Sequence, residues 1–242
     1  MSQTEQVFLS AEWRDLVMLN YQVDPHLLAK YVPSGTVLDS FRGKTYVSLV
    51  GFRFCRTKLF GAITVPFHSD FEEVNLRFYV RRQYGAEERR GVVFIAEIVP
   101  RLAVATLARV IYRENYVCLP MSHNVRSEGV ERAVEYRWHV KNQWCKLTAK
   151  ASSESALPPE GSLEQFITEH YWGYSTQRGG GSLEYHVSHA PWQVWSSTSS
   201  SFEGDGSSTY GLELGKILQH QPDSAFIADG SPVVVYKGTK VS

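Results

Sequence analysis

Along Phe71-Glu72-Glu73-Val74-Asn75-Leu76-Arg77-Phe78-Tyr79-Val80-Arg81, a two-residue period separates an apolar row from a row of chemically active side chains. Val74, Leu76, Phe78 and Val80 share one face of the implied strand; Glu73, Asn75, Arg77, Tyr79 and Arg81 share the other. An acid, an amide, a guanidinium and a phenol in that order can line a polar pocket. There a carboxyl moves a proton and the guanidinium grips a carboxylate through paired hydrogen bonds. The plainer alternative is a solvated sheet face carrying a cross-strand ion pair.

A second acid belongs to the same question. Glu97 is the lone charge in Gly91-Val92-Val93-Phe94-Ile95-Ala96-Glu97-Ile98-Val99. Residues 83–90 between the two runs, with Gly85 and a charged tip, suit a hairpin, so antiparallel pairing brings Glu97 near Glu73. Two carboxyls in a partly dry pocket raise each other's pKa. Two readings stay open: a pocket in which Arg77 holds a substrate carboxylate, or an Arg77 that neutralises Glu97.

The elements that would position these residues are mostly strands. Residues 13–23, 45–54 and 91–99 are apolar on both faces, as in a sheet covered on each side or closed on itself. Arg14, Arg53 and Glu97 stand inside such runs, and each needs a partner, because desolvating a lone charge costs several kcal/mol. Three short helices interrupt them. Asp24-Pro25 opens the first as N-cap and N1 proline, and Pro33 closes it. The second follows Pro100 over 101–112, and the third is capped by Ser162 and carries Phe166, Ile167 and His170 to Trp172. A fourth is expected near 210–218. The Ser/Pro/Glu-rich 151–161 and Ser/Gly-rich 196–209 read as loops, with strands resuming at 182–187 and 232–236.

The chain has 242 residues, 43% of them apolar, enough for one sizeable all-β domain spanning 1–242. Its 25 basic and 25 acidic residues cancel, which removes any broad electrostatic reason to bind nucleic acid or an anionic membrane. Three scattered cysteines, Cys55, Cys118 and Cys145, fit reduced thiols in a cytoplasmic protein better than a disulfide framework. No leader pattern opens the chain, and no apolar run approaches a membrane span. His68 and His123 beside prolines, and His186 with His189, lack metal-ligand spacing, so no metal is expected. A G-x-S-x-G elbow is missing, and Arg178-Gly179-Gly180-Gly181 precedes a strand rather than a helix, which argues against a phosphate cradle. The aromatic cluster His170-Tyr171-Trp172-Gly173-Tyr174 with Trp192 and Trp195 reads as a packed core edge, with ligand stacking as the alternative.

Several segments together carry a resemblance that covers nearly the whole length. They are Trp13-Arg14, Asn20-Tyr21-x-Val23-Asp24-Pro25, Tyr46-Val47-Ser48-Leu49-Val50-Gly51-Phe52, Glu73-Val74-Asn75-Leu76-Arg77-x-Tyr79-Val80, Pro191-Trp192 and Gly230-Ser231. In these the chain resembles the YqjF-like family of uncharacterised bacterial proteins (domain of unknown function 2071), which is classed with the acetoacetate decarboxylase-like superfamily. The resemblance implies a mainly β (α+β) fold: an antiparallel cone-like β-barrel with a flanking sheet, a few short helices and homo-oligomeric assembly. It also implies an active site in the enclosed end of the barrel. The superfamily's enzyme forms a Schiff base through the first lysine of a Pro-Lys-Lys motif after an Arg-Glu pair, the second lysine lowering the pKa of the first. Here Arg113-Glu114 is similar to that pair and Pro120 to the proline, but Met121 and Ser122 stand where the lysines belong. No lysine occurs between Lys58 and Lys141. Glu73 matches the acid that the enzyme keeps beside its lysine.

These readings give a pocket for a small organic acid, keto or hydroxy, lined by Glu73, Asn75, Arg77, Glu97, Arg113 and Met121, with no cofactor. Glu73 and Glu97 are the catalytic candidates for proton transfer beside a carbonyl, with an arginine stabilising negative charge. The rival is a binding or assembly module whose polar row only satisfies structural ion pairs.

Overall fold

The computed structural model of the chain describes residues 6–61, 63–64, 69–111, 114–177 and 179–241. Arg113 and His68 lie outside the described residues. The chain opens with β1 (Val7–Val23), α1 (Pro25–Leu28) running into a single 3-10 turn, β2 (Val37–Leu38), β3 (Thr45–Leu59), β4 (Phe71–Tyr84) and β5 (Glu87–Val99). It continues through α2 (Leu102–Ile111), β6 (Tyr116–Cys118), β7 (Met121–Glu128), β8 (Glu131–Val140) and β9 (Gln143–Ser152). Next come α3 (Leu163–Thr168), β10 (Trp172–Thr176), β11 (Ser182–His189), β12 (Val194–Ser196) and β13 (Ser199–Glu203). The last elements are α4 (Ser207–Tyr210), α5 (Leu212–Ile217), β14 (Ser224–Tyr236) and β15 (Thr239–Val241).

The long strands lie in the order β14-β1-β3-β4-β5 and continue through β10 to β11. Val187, Ser188 and His189 of β11 then pair with Val235, Val234 and Val233 of β14, so the sheet returns to its start as a ring of strands. This is the mainly β architecture expected, with one qualification: β10 and β6 both join β5 in parallel. Gly91 makes the β5–β10 junction possible, because a Cβ there would lie 2.6 Å from the Trp172 carbonyl oxygen. A second sheet, β13-β9-β8-β7, covers one outer flank of the ring.

The alternation along β4 decides what each side becomes. Val74, Leu76, Phe78 and Val80 pack outward against Val134, Tyr136, Trp138, Leu147 and Ala149 of the second sheet. Burying side chains of this size contributes about 1.5–3 kcal/mol each, which pins the register, since a one-residue slip would turn the whole row around. Gly51 belongs to this contact; a Cβ there would meet the Tyr136 ring at 2.6 Å. On the other side, Phe52 and Phe54 of β3 with Phe71 and Tyr79 of β4 face the ring interior alongside Trp192 and Phe226.

Local signals place the helices well. Asp24 caps α1, accepting from His26 N at 2.9 Å, and Ser162 caps α3, accepting from Gln165 N at 3.1 Å. Two expectations are corrected. α3 stops at Thr168 as Glu169 leaves helical geometry (φ −101°, ψ 59°), so His170 to Trp172 are not on it and Trp172 opens β10. The serine-rich 196–209 is not simply a loop: Ser199–Glu203 is the edge strand β13, anchored by buried Phe202 and by a 2.9 Å Thr148–Ser201 hydroxyl bond to β9. No described helix is long and apolar enough to cross a membrane.

Candidate functional site

Inside the ring lies a cavity of about 370 Å³. Glu73, Asn75 and Arg77 reach its wall as successive inward positions of β4, and Asn75 is registered directly opposite Glu97 of β5. The register shifts between Leu76 and Arg77, leaving Ile95 as an extra residue on β5. Such a bulge re-aims side chains, and it allows Phe94 and Glu97, three positions apart, to line the same cavity while Ile95 and Ala96 pack outward. Glu114 and Tyr116 enter from the parallel partner β6 and the residues before it, and Tyr185 from β11.

One end of the cavity is a carboxyl cluster. Asn75 Nδ2 donates to Glu73 Oε1 at 2.9 Å, the Tyr116 hydroxyl donates to Glu73 Oε2 at 3.2 Å, and the Tyr185 hydroxyl donates to Glu114. Among the described residues Glu97 Oε2 and Asn75 Oδ1 have no partner. Burial pushes Glu73 up to about 7, against the downward pull of its hydrogen bonds and of Arg77. Burial likewise pushes Glu114 to about 8 and Glu97 well above the carboxylate range, with the neighbouring acids adding to the rise. The cluster therefore holds protons near neutrality and offers O–H donors to the cavity.

The other end is basic. Arg77, 8% exposed, donates to the Ile167 carbonyl at 3.3 Å, and its Nε has no partner among the described residues. Among the described residues no carboxylate forms an ion pair with it, so the expected alternative of Arg77 neutralising Glu97 does not describe this structure. The guanidinium lies 5.8 Å from the Tyr79 ring centre, and His170 packs on the same ring at 4.6 Å. Asp39 accepts from His170 Nε2 at 3.2 Å and from Arg90 Nε at 2.8 Å. Burial raises the Asp39 pKa, but these two bonds outweigh it and bring the group to about 2. Burial lowers His170 to about 4, so its imidazole is neutral near neutrality, with Nδ1 left as an acceptor that no group of the described residues meets. His189 also falls to about 4 by burial; its Nδ1 bonds the Ala190 carbonyl at 2.9 Å.

Phe52, Phe54, Phe71, Val187 and Trp192 complete the wall, so two polar ends share an apolar chamber. Among the described residues no lysine lines it. Of the residues expected to contact a ligand, Glu73, Asn75, Arg77 and Glu97 come together here, and Met121 does not. Met121 opens β7 opposite Trp138, in the second sheet, and packs on the core between the sheets. Ser122 beside it is exposed. The other charges in apolar runs are satisfied locally: Arg14 bonds Glu12 at 2.8 Å, and Arg53 bonds Asp15, which also takes Arg132. His123 bonds Glu72 at 2.6 Å.

Sequence reasoning did not select Glu114, Tyr116, Tyr185 or His170 as contacts. Glu114 and Tyr116 carry the same two-residue alternation that marks Glu73 and Asn75, but the run is too short to declare a strand by itself. His170 sits in an aromatic cluster, and only its distant partner Asp39 sets it apart.

Comparison with known proteins places the chain in context. The sequence model of the DUF2071 family, described as an uncharacterized conserved protein, matches residues 10–232. The uncharacterized protein YqjF of Bacillus subtilis (strain 168) is 26% identical over 182 residues, covering 74% of this chain and 72% of that protein. Among solved structures, acetoacetate decarboxylase from Legionella pneumophila superposes with a TM-score of 0.68 at 12% identity over 97% of this chain and 87% of that one. An acetoacetate decarboxylase-like enzyme from Sphingomonas wittichii RW1 gives 0.68 at 10% identity, over 97% and 93%. The enduracididine biosynthesis enzyme MppR complexed with pyruvate gives 0.65 at 13% identity, over 100% and 92%. Identities this low carry the fold alone.

Proposed function

Starting from a chain that belongs to the DUF2071 family and has the acetoacetate decarboxylase-like fold, we propose that the ring cavity binds a small organic acid and moves a proton on it without an imine. The observation that carries this reading is a buried guanidinium that pairs with no carboxylate among the described residues, in the wall of the same largely apolar cavity as a proton-holding carboxyl cluster. The guanidinium supplies the counter-charge for a ligand carboxylate, and the bidentate match is its natural geometry. Glu73, whose proton exchanges near neutrality, is the acid or base; Glu97 and Glu114 donate hydrogen bonds to oxygen that gains charge. An amine nucleophile is missing from the described cavity wall, which argues against decarboxylation through a Schiff base. That MppR is seen with pyruvate makes keto acids reasonable probes beside hydroxy acids.

The test is a thermal-shift screen of small keto and hydroxy acids on the wild type and on Arg77→Gln. At least one acid is expected to raise the wild-type melting temperature, with the shift abolished by Arg77→Gln, and borohydride is expected to trap no adduct. If no acid acts, or if Arg77→Gln responds like the wild type, the polar row is structural and the reading falls. A stable borohydride adduct would overturn the imine-free mechanism.

A further inference from the structure

Arg77 and His170 pack against the same tyrosine ring, and each leaves one nitrogen without a partner among the described residues: Nε of Arg77, a donor, and Nδ1 of His170, an acceptor. The tautomer is fixed from behind. Asp39 is itself held by Arg90, so it takes the Nε2 proton of His170 and leaves the lone pair on Nδ1. The His170 side chain is 1% exposed, and a buried nitrogen that lacks a bond costs about 1–3 kcal/mol until something supplies one. A carbonyl oxygen cannot supply it, because both would be acceptors. A hydroxyl can.

We propose that His170 accepts a hydrogen bond from a hydroxyl on the carbon beside the ligand carboxylate, so that the cavity selects α-hydroxy acids with an apolar tail. The tail follows from the aromatic and aliphatic wall, and from a volume of about 370 Å³ that a two- or three-carbon acid would leave largely unfilled. This inference rests on the reading that Arg77 holds a carboxylate, and it adds which acid is held. Asp39 is a positioning residue: it touches no ligand and acts by setting which nitrogen of His170 carries the proton.

Calorimetric titration with α-hydroxyisocaproate (each enantiomer), α-ketoisocaproate and isocaproate tests it, since the three probes share carboxylate and tail. The wild type is expected to bind one hydroxy enantiomer at least about ten-fold tighter than the other two acids, because a site built to bond a hydroxyl rejects analogues that lack it. His170→Phe is expected to reduce that preference to about two-fold or less. In Asp39→Leu Nε2 loses its acceptor, the tautomer with the lone pair on Nδ1 is no longer enforced, and the hydroxyl preference is expected to weaken toward that of His170→Phe. If none of the three acids binds the wild type, the organic-acid reading falls and this inference with it. If they bind without a hydroxyl preference, or if the preference survives in His170→Phe, this inference alone is overturned. Should His170→Phe fail to fold, His170→Met decides, and an unchanged preference there is the overturning result.

Discussion

Glu184 and Glu97 are buried almost equally, at 3% and 1% exposure, yet their surroundings are opposite. Glu184 on β11 accepts from Arg89 at 2.6 Å, from Arg82 at 3.1 Å and from the Tyr174 hydroxyl at 2.8 Å, so both oxygens are bonded to donors. Arg82 and Arg89 come from β4 and β5, and Glu184 therefore ties that hairpin to β11 near the parallel junction of the ring. Glu97 lies instead beside Glu114, Glu73 and the Tyr116 hydroxyl, and one of its oxygens has no partner among the described residues. A carboxylate buried for structure is fully paired, because an unpaired one costs several kcal/mol. A carboxyl left short of partners, protonated, in the wall of a cavity is the arrangement expected where the missing partner is a ligand.

The comparison breaks most visibly if Glu184 can be stripped without consequence. The double variant Arg82→Met/Arg89→Met leaves Glu184 buried beside one phenol. It is expected to lose about 3–5 kcal/mol in urea unfolding near neutral pH. Glu97→Gln, which replaces a neutral acid by a neutral amide of the same shape, is expected to change stability by less than about 1 kcal/mol under the same conditions. Equal costs for the two variants would mean that both carboxyls are structural.

A smaller effect separates the two ends of the cavity by pH. Glu73, raised from 4.5 to about 7, holds its proton more tightly folded than unfolded, so stability is lost as the pH rises through that window. Glu114, raised to about 8, extends the loss upward. The basic end has the opposite sign. His170, lowered from 6.5 to about 4, and Asp39, lowered from 3.8 to about 2, give stability that is lost as the pH falls through those ranges. Stability is thus expected to peak in mild acid. Glu73→Gln should leave it unchanged near about pH 5 and raise it by about 2–3 kcal/mol near about pH 8, as the pKa displacement converts. A wild type whose stability rises steadily from pH 5 to 8 would contradict the raised carboxyls.

What could be read from the chain alone follows the range of the forces involved. The inward row of Glu73, Asn75 and Arg77 was legible because alternation is local, and the caps Asp24 and Ser162 because capping spans only three or four residues. The hairpin that sets Glu97 opposite Asn75 was legible from Gly85 and its charged neighbours. The bulge at Ile95 was not, since no composition rule marks it. Neither was the tautomer of His170, which depends on Asp39, 131 positions away in sequence. The second sheet from 121 to 152 also escaped: Trp138, Leu147 and Ala149 bury one face and expose the other, but their partners are the outward residues of distant β4.

The smallest expected effect concerns Met121, the position to which the sequence resemblance assigns a Schiff-base lysine. In this fold that position lies on the second sheet, across the β4 wall from the cavity, where Met121 is half-buried against the core. A lysine there can lay its methylene stem along the apolar surface and keep its ammonium in water. Met121→Lys is therefore expected to cost no more than about 1 kcal/mol, to leave ligand-induced melting shifts intact, and to give no borohydride-trapped adduct with acetoacetate. The result discriminates because a lysine solvated outside the ring lacks the desolvated neighbourhood that turns an ammonium into a nucleophile at neutral pH. Trapped adduct on Lys at this position would show that β7 reaches the ligand after all, and the division between a paired outer shell and an unpaired interior would have to be redrawn around it.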